Sequence, residues 1–299
     1  MAGDSKGPVL SERRSSGRRE SKGVLYVVAT PIGNLDDITL RAIKILKQVR
    51  LVAAEDTRRT GILLRHFGVE TAILSVHEHN ERARVDPIVA QLGRGESVAL
   101  VTDAGTPGIS DPGAALVAAI RGAGFRVEPI PAASAVAAVI SASGVSSEGF
   151  TFLGFPPIRS KDRKYWLVQL SEASRHRLVV FFEAPHKVRK TLEDLFILVK
   201  RPIIVGREIT KLHEEFVSGT IPELLARFEP PQGEFTVLVP PEDPGTEPLA
   251  AITDEAVVEL FGQITELRQS GSKRDAARET GERLGLSAKQ VYAIIERNK

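Results

Sequence analysis

The chain has 299 residues, of which 42% are apolar, no cysteine and a formal net charge of +2. Disulfide stapling, thiolate chemistry and cysteine-ligated zinc are therefore excluded, and the overall charge names no partner. The length suffices for two compact units and a small extra piece. No apolar run approaches the roughly 20 residues that span a bilayer, and the polar, basic amino end lacks an apolar signal-peptide core. A cytoplasmic protein without membrane contact is the expectation.

Residues 1–23, rich in Ser, Gly and Arg, read as a disordered basic arm. Residues 24–145 alternate strands with helices. Strands are expected over 24–29, 51–54, 72–74, 97–102 and 126–130, and helices over 38–47, 59–66, 81–94, 114–121 and 135–141. Such βα repetition implies a parallel sheet with helices on both faces. A Gly/Ser-rich stretch over 141–149 marks a boundary. A second α/β domain over 146–240 follows, with strands at 150–153, 178–182, 203–206, 214–218 and 235–239, helices at 161–173 and 187–199, and a mixed sheet. Residues 241–253 read as a proline-rich linker. The last 46 residues, 254–299, read as a helical, helix-turn-helix-like tail turning at Gly285-Leu286-Ser287. The fold class is thus two α/β domains, an N-terminal parallel sheet and a C-terminal mixed sheet, with a small helical C-terminal module.

Three loops rich in glycine, proline or small residues follow strands of the first sheet: Thr30 to Asp37, Asp103 to Gly113, and Pro131 to Ser134. In a parallel sheet they emerge on one edge, where open α/β sheets bind ligands. Asp111 is placed to cap the next helix, with Pro112 at its first position. The first loop lacks G-x-G-x-x-G, and no G-x-x-x-x-G-K-[ST] occurs, so a dinucleotide site and a P-loop are both unsupported. Glu55-Asp56-Thr57-Arg58-Arg59 follows the second strand and clusters charge at the same edge. In the second domain, Phe152-Leu153-Gly154-Phe155-Pro156-Pro157, Glu183-Ala184-Pro185-His186-Lys187 and Arg207 to Glu214 each follow a strand. His77-Glu78-His79 has no third ligand in view, so no metal is assigned. Charge is uneven: residues 151–201 carry an excess of six positive charges, residues 202–253 an excess of six negative ones, and the tail is neutral. The basic segment is a candidate polyanion footprint, whereas the neutral tail argues against strong nucleic-acid binding by the tail alone.

Taken together, Leu25 to Leu35, Ala54 to Arg58, Asp103 to Gly113, Phe152 to Phe155, Glu183 to His186 and Arg207 to Lys211 resemble the tetrapyrrole methylase superfamily. The likeness is to its branch of 16S rRNA ribose 2′-O-methyltransferases. T-P-I-G-N-L with E-D-T-R separates that branch from the cobalamin-pathway methylases, which carry a G-x-G-P-G-D type loop. The resemblance covers residues 24–240 and extends to the tail. It implies S-adenosylmethionine as cofactor, held between the two α/β domains. Cofactor contacts are then expected from Pro31, Gly33, Asp103, Ala104, Gly105, Thr106, Ile109, Ser110, Ser134, Ala135, Glu183 and Ala184. It further implies a cytidine 2′-O-methylated in the decoding centre, with 16S rRNA or the small ribosomal subunit as partner, and a homodimer.

Methyl transfer from a sulfonium is an in-line displacement that holds oxygen and methyl carbon about 3 Å apart. Hydrogen bonding or proton removal at the accepting hydroxyl helps. Asp56 and Lys211 are the catalytic candidates, beside Asp103, which is better placed to organise its own loop. Arg58, Arg159, Lys161, Arg163, Lys164, Arg175 and Arg177 are the expected RNA contacts. Two rivals stay open: a tetrapyrrole methyltransferase of the cobalamin-pathway type, and a non-enzymatic RNA-binding protein.

Overall fold

Five strands and five helices alternate through the first part of the chain: β1 (Val24–Val28), α1 (Leu40–Gln48), β2 (Leu51–Ala54), α2 (Thr57–His66), β3 (Ala72–Ser75), α3 (Val85–Gly93), β4 (Val98–Val101), α4 (Ala114–Gly122), β5 (Arg126–Ile130) and α5 (Ala135–Ala142). This is a computed structural model, and it describes residues 22–146, 148–242, 254–267, 272–284 and 286–298. The arm over 1–21 and the linker from 243 to 253 lie outside the described residues.

All five strands pair in parallel in the order β3-β2-β4-β1-β5. The sheet is covered on both faces. Ala42 and Leu46 of α1 and Leu63 and Leu64 of α2 pack against Val28, Val52 and Val101 on one side. Ile88 and Leu92 of α3 and Leu116 and Ile120 of α4 pack against Leu25, Ala53 and Leu100 on the other. β4 is buried at every position, as a central strand covered on both faces must be.

The helix expected over 81–94 is interrupted. A 3₁₀ turn spans Glu81–Arg84 and α3 starts only at Val85. Pro87 explains the break: it has no N–H to bond the carbonyl four residues back, so it is tolerated only in a helix's first turn. The turn frees Glu81 for another task. Its buried carboxylate accepts the Leu116 N–H at 2.7 Å, inside the first turn of α4. The residue heading α4 is Gly113, at φ +127, which has no side chain to cap with. Asp111 therefore does not cap α4, contrary to expectation; Glu81 supplies the acceptor from a distant turn.

The second sheet comprises β6 (Phe150–Phe152), β7 (Leu178–Glu183), β8 (Ile203–Arg207), β9 (Glu215–Gly219) and β10 (Phe235–Val239). Interleaved are α6 (Ser160–Ala173), α7 (Pro185–Leu198) and α8 (Ile221–Arg227). The order is β6-β7-β10-β8-β9; β6 and β7 run parallel and the other pairs antiparallel, so the sheet is mixed. One face packs on Trp166 and Leu170 of α6, Val188 and Leu192 of α7 and Leu224 of α8. The opposite face is covered by α5 of the preceding part, whose Val136 and Val139 lie against Leu178, Val180, Ile204 and Leu238. Close approach is enforced at Gly206, where a Cβ would sit 2.8 Å from Val139 Cγ2. Helix α5 therefore packs directly on the second sheet, and both sheets belong to one compact unit that ends at Pro241.

The remaining helices, α9 (Asp254–Leu267), α10 (Lys273–Leu284) and α11 (Ala288–Arg297), form a second compact unit around Val257, Ala277 and Val291. Gly281 allows the turn between α10 and α11, because a Cβ there would collide with the Leu286 carbonyl. Ser287 caps α11 in a capping box with Gln290.

Glu81→Ala should lower unfolding free energy by about 2 kcal/mol in denaturant titration, since it strands a buried N–H and removes a charge-assisted cap. Unchanged stability would show that α4 does not depend on this carboxylate.

Candidate active site

Topology selects the place. β4 lies between β2 and β1. The connections leaving β2 and β1 run through α2 and α1 on one face, while the connection leaving β4 runs through α4 on the other. Such a reversal leaves the carboxyl end of β4 uncovered, which is the position open α/β sheets use for ligands. The segment that emerges there is Asp103 to Gly113.

Backbone pairing joins this segment to the loop after β1. Thr30 and Gly105 form an antiparallel bridge, with N···O distances of 2.8 and 3.2 Å. The buried Thr30 hydroxyl also donates to the Thr102 carbonyl at 3.1 Å. Gly105 at φ +83 and Gly108 at φ +81 allow the turns that follow. Ser134 heads α5 at the end of β5, next to β1, and its Oγ accepts the Ala137 N–H at 3.5 Å. Ser134 thus heads a neighbouring helix, while the loops after β1 and β4 converge with the start of α2. A cavity of about 210 Å³ opens among them, lined by Thr30, Pro31, Arg59, Thr60, Thr102 and Asp103, with Leu35, Ile62 and Leu63. A more open hollow of about 770 Å³ lies at the opposite, amino edge of the sheet near Arg50 and Ser97, away from these loops.

Carboxylates gather at the rim. Asp103 accepts the Asp56 N–H at 3.1 Å and pairs with Arg59 at 3.4 Å, which fastens the β4 loop to the start of α2. The Thr102 hydroxyl donates to Glu55 at 2.8 Å. Asp111 is half-buried beside them. Burial pushes its carboxyl up to about 6; a Thr102 hydrogen bond pulls it down, and the Glu55 and Asp103 charges push it further up. Asp56 is different: it caps α2, and hydrogen bonds led by the Arg58 N–H, at 2.8 Å, hold its carboxyl below the usual range. Its oxygens are occupied, so it is a poor proton acceptor.

The second sheet contributes the facing wall. A Cβ on Gly33 would collide with the Lys211 side chain and lie 2.8 Å from Thr210 Oγ1. A Cβ on Gly154 would lie 3.4 Å from Ser110 Oγ. Loops after β1 and β4 therefore touch loops after β8 and β6. Ser110, Glu208 and Thr210 all adopt left-handed backbone conformations, at φ 63°, 50° and 69°. Such strain persists only where surrounding structure enforces it, and it clusters at functional sites. Thr210 Oγ1 is buried with no hydrogen-bond partner among the described residues. Lys211 Nζ lies 2.9 Å from Glu208 and 3.0 Å from Glu234. Burial pulls its ammonium down, but the two carboxylates outweigh burial and hold it above the usual lysine range. Lys211 stays a cation, suited to steadying negative charge and not to removing a proton.

Two expected contacts are engaged elsewhere. Glu183 is 2% exposed and turns inward: one oxygen accepts the Ala184 N–H at 2.9 Å and the other the Thr191 hydroxyl. It caps the start of α7, where Ala184 has no capping atom, so it has no oxygen to offer a cofactor. Arg163 is drawn into the same network, bonding Thr191 at 2.8 Å and Asp194 at 2.9 Å, which leaves its side chain 16% exposed. The remaining basic residues split. Arg159, Lys161 and Lys164 are exposed at the start of α6. Arg175 and Arg177 are exposed beyond its other end, about 20 Å away at the helical rise per residue. Arg58 is 90% exposed on its side chain at the rim, with a 3.4 Å contact to Asp56.

A family model for tetrapyrrole (corrin/porphyrin) methylases matches residues 24–225. The chain belongs to the tetrapyrrole methylase family. Three relatives carry the name ribosomal RNA small subunit methyltransferase I. The protein from Synechocystis sp. is 42% identical over 277 residues, covering 91% of this chain and 97% of its own. That from Neisseria meningitidis serogroup B is 42% identical over 284 residues, covering 93% and 95%. That from Haemophilus influenzae is 46% identical over 204 residues, covering 68% and 71%. Among solved structures, the uroporphyrin-III C-methyltransferase of Thermus thermophilus superposes with a TM-score of 0.52 at 19% identity, covering 73% of this chain and 94% of that one. A cobalt precorrin-4 methyltransferase superposes with a TM-score of 0.56 at 17% identity, covering 74% and 96%. At those identities the likeness shows the fold.

Methyltransferases of the tetrapyrrole methylase family use S-adenosylmethionine as methyl donor. The residues present fit it. A glycine-rich, side-chain-poor loop admits a nucleoside, rim carboxylates suit a sulfonium and an ammonium, and the unpartnered Thr210 hydroxyl offers a hydrogen bond. Among the described residues no helix is long and apolar enough to cross a membrane.

Two outcomes are expected. Gly33→Ala forces the β1 loop off Thr210 and Lys211 and should weaken S-adenosylhomocysteine binding about tenfold by calorimetry, the overpacking cost of a close contact; unchanged affinity would place the ligand elsewhere. Asp111 holds its proton more tightly folded, at about 6, than an unfolded aspartate near 3.9. Its contribution to stability is therefore complete below about pH 4 and lost as pH rises to 6. The Tm of the parent should fall relative to Asp111→Asn across that window; a gap independent of pH would contradict the assignment.

Proposed function

We propose that this protein transfers a methyl group from S-adenosylmethionine to small-subunit ribosomal RNA, on the ribose 2′-oxygen of a cytidine in the decoding centre. The observation that carries the reading is an adjacency. Gly154 lies against Ser110 of the crevice loop, and five residues later the chain presents Arg159, then Lys161 and Lys164, exposed at the start of α6. Cations beside the crevice suit phosphates flanking a ribose at its mouth. The relatives' shared name supports an RNA substrate. In this reading the protein is a homodimer; Phe196, Ile197 and Leu198 at the end of α7 offer exposed apolar surface to a second copy.

Pro31, Gly33, Ala104, Gly105, Thr106, Ile109, Ser134 and Ala135 enclose the donor, with Asp103 and Ser110 bracing the loop. Bound there, S-adenosylmethionine supplies an electrophilic methyl carbon. The protein's task is to hold the ribose hydroxyl in line with it and to keep water out. Asp111 is a rim carboxyl that burial pushes up to about 6, which suits it to accept the hydroxyl proton directly or through water. Lys211, kept charged by Glu208 and Glu234, steadies the oxygen as its proton leaves.

The test is mass mapping of small-subunit rRNA from a deletion strain. One ribose methyl should disappear and return with the restored gene; an unchanged map would refute the substrate. Replacing Arg159, Lys161 and Lys164 together by Gln should reduce the salt slope of RNA binding by about two to three, whereas replacing Arg175 and Arg177 should leave it nearly unaltered. The reverse ranking would put the RNA at the other end of α6.

A further inference from the structure

Phe155 is used by nothing described so far. The residue is 51% exposed, yet its ring is fixed in place. Its centroid lies 5.5 Å from that of Phe182, which meets Phe152 edge-on at 4.9 Å. Its backbone is pinned on both sides: the Gly154 carbonyl accepts the Phe182 N–H at 2.9 Å, and Pro156 is buried. Gly154 turns at φ +61 against Ser110, so the ring stands one residue from the loop that lines the crevice. Three residues on, Ile158 is 82% exposed. Lys161, Lys164 and Tyr165 follow at helical spacing on one exposed stripe of α6, with Tyr165 66% exposed.

A rigid, half-exposed aromatic ring beside a crevice, continuous with a stripe of cations and a second aromatic ring, has the chemistry of a single-stranded nucleic-acid surface. Ring faces take bases and the cations take phosphates. Sequence-bearing RNA contacts are made mostly with unstacked bases, because the deep groove of a paired A-form helix does not admit side chains. The base is joined directly to the ribose that receives the methyl group, so its stacking partner must stand at the crevice rim.

We propose that Phe155 is the stacking platform for the base of the methyl-accepting nucleotide, with the flanking phosphates carried over Arg159, Lys161 and Lys164. This deepens the RNA reading and rests on it. The platform demands an unpaired nucleotide: a substrate strand annealed to its complement is refused even when the target sequence is intact.

The experiment compares full-length Phe155→Trp, Phe155→Leu and the parent on small-subunit rRNA, with S-adenosylhomocysteine affinity measured by calorimetry in each. Loss of rRNA methylation by the parent itself would sink the RNA reading; all other outcomes concern the platform alone. Phe155→Leu should lose about tenfold or more in kcat/KM for RNA while keeping its S-adenosylhomocysteine affinity, in line with the loss of one stacked base. Phe155→Trp should retain activity, and its added emission should be quenched by RNA, against a parent whose lone Trp166 is buried. Full activity in Phe155→Leu, or unquenched emission in an active Phe155→Trp, would overturn the proposal. So would a change in sedimentation of Phe155→Leu, which would assign this face to a second copy of the chain.

Discussion

The arrangement depends on the placement of β4 between two strands whose connections leave in the opposite direction. Helices cover both faces of the sheet, but neither α1, α2 nor α4 can cross the carboxyl end of β4 without reversing its own path. The gap is a consequence of strand order, and it costs the fold its simplest packing. The chain answers with polar fastenings in place of apolar burial. Thr30 and Gly105 pair their backbones, Asp103 ties the loop to α2, and Glu81 reaches from a 3₁₀ turn to cap α4. Each fastening engages a polar group that would otherwise sit in solvent, and together they hold open a segment of glycines, prolines and small side chains.

The same constraint explains the electrostatics. The β4 end, not covered by a helix, brings Glu55, Asp103 and Asp111 close together, and Asp111, half-buried among them, holds its proton to about pH 6. On the facing wall the backbone itself is strained at Glu208 and Thr210, and Lys211 is fixed between two carboxylates. The crevice thus holds a rigid cation on one wall and, on the other, a carboxyl held up to about 6. Neither is a property of a single loop. Both arise because α5 buries its valines in the second sheet and so draws the two walls together.

Much of this was legible in the chain. Short apolar runs alternating with helical periodicity exposed the βα alternation, and glycine with proline marked the loops that meet at the rim, because those residues act through local backbone rules. What stayed hidden depends on distant partners. Glu183 ends a strand like a site residue, yet its carboxylate serves α7; only the position of Thr191 and Arg163 reveals that. Asp111 looks like a helix cap because Pro112 follows it, but the helix begins later and is capped by a residue 35 positions away from its first turn. Two misses were avoidable. Pro87 already forbade a continuous helix over 81–94, and Thr220-Ile221-Pro222-Glu223 spells the capping box that starts α8.

Amide hydrogen exchange with and without S-adenosylhomocysteine addresses the central claim most directly, because it reads every loop at once. Residues 30–34, 103–113 and 208–213 should gain protection together, as segments distant in sequence close on one ligand. Protection confined to a single loop, or appearing instead at the amino-edge hollow around Arg50 and Ser97, would contradict a crevice built by the reversal at β4.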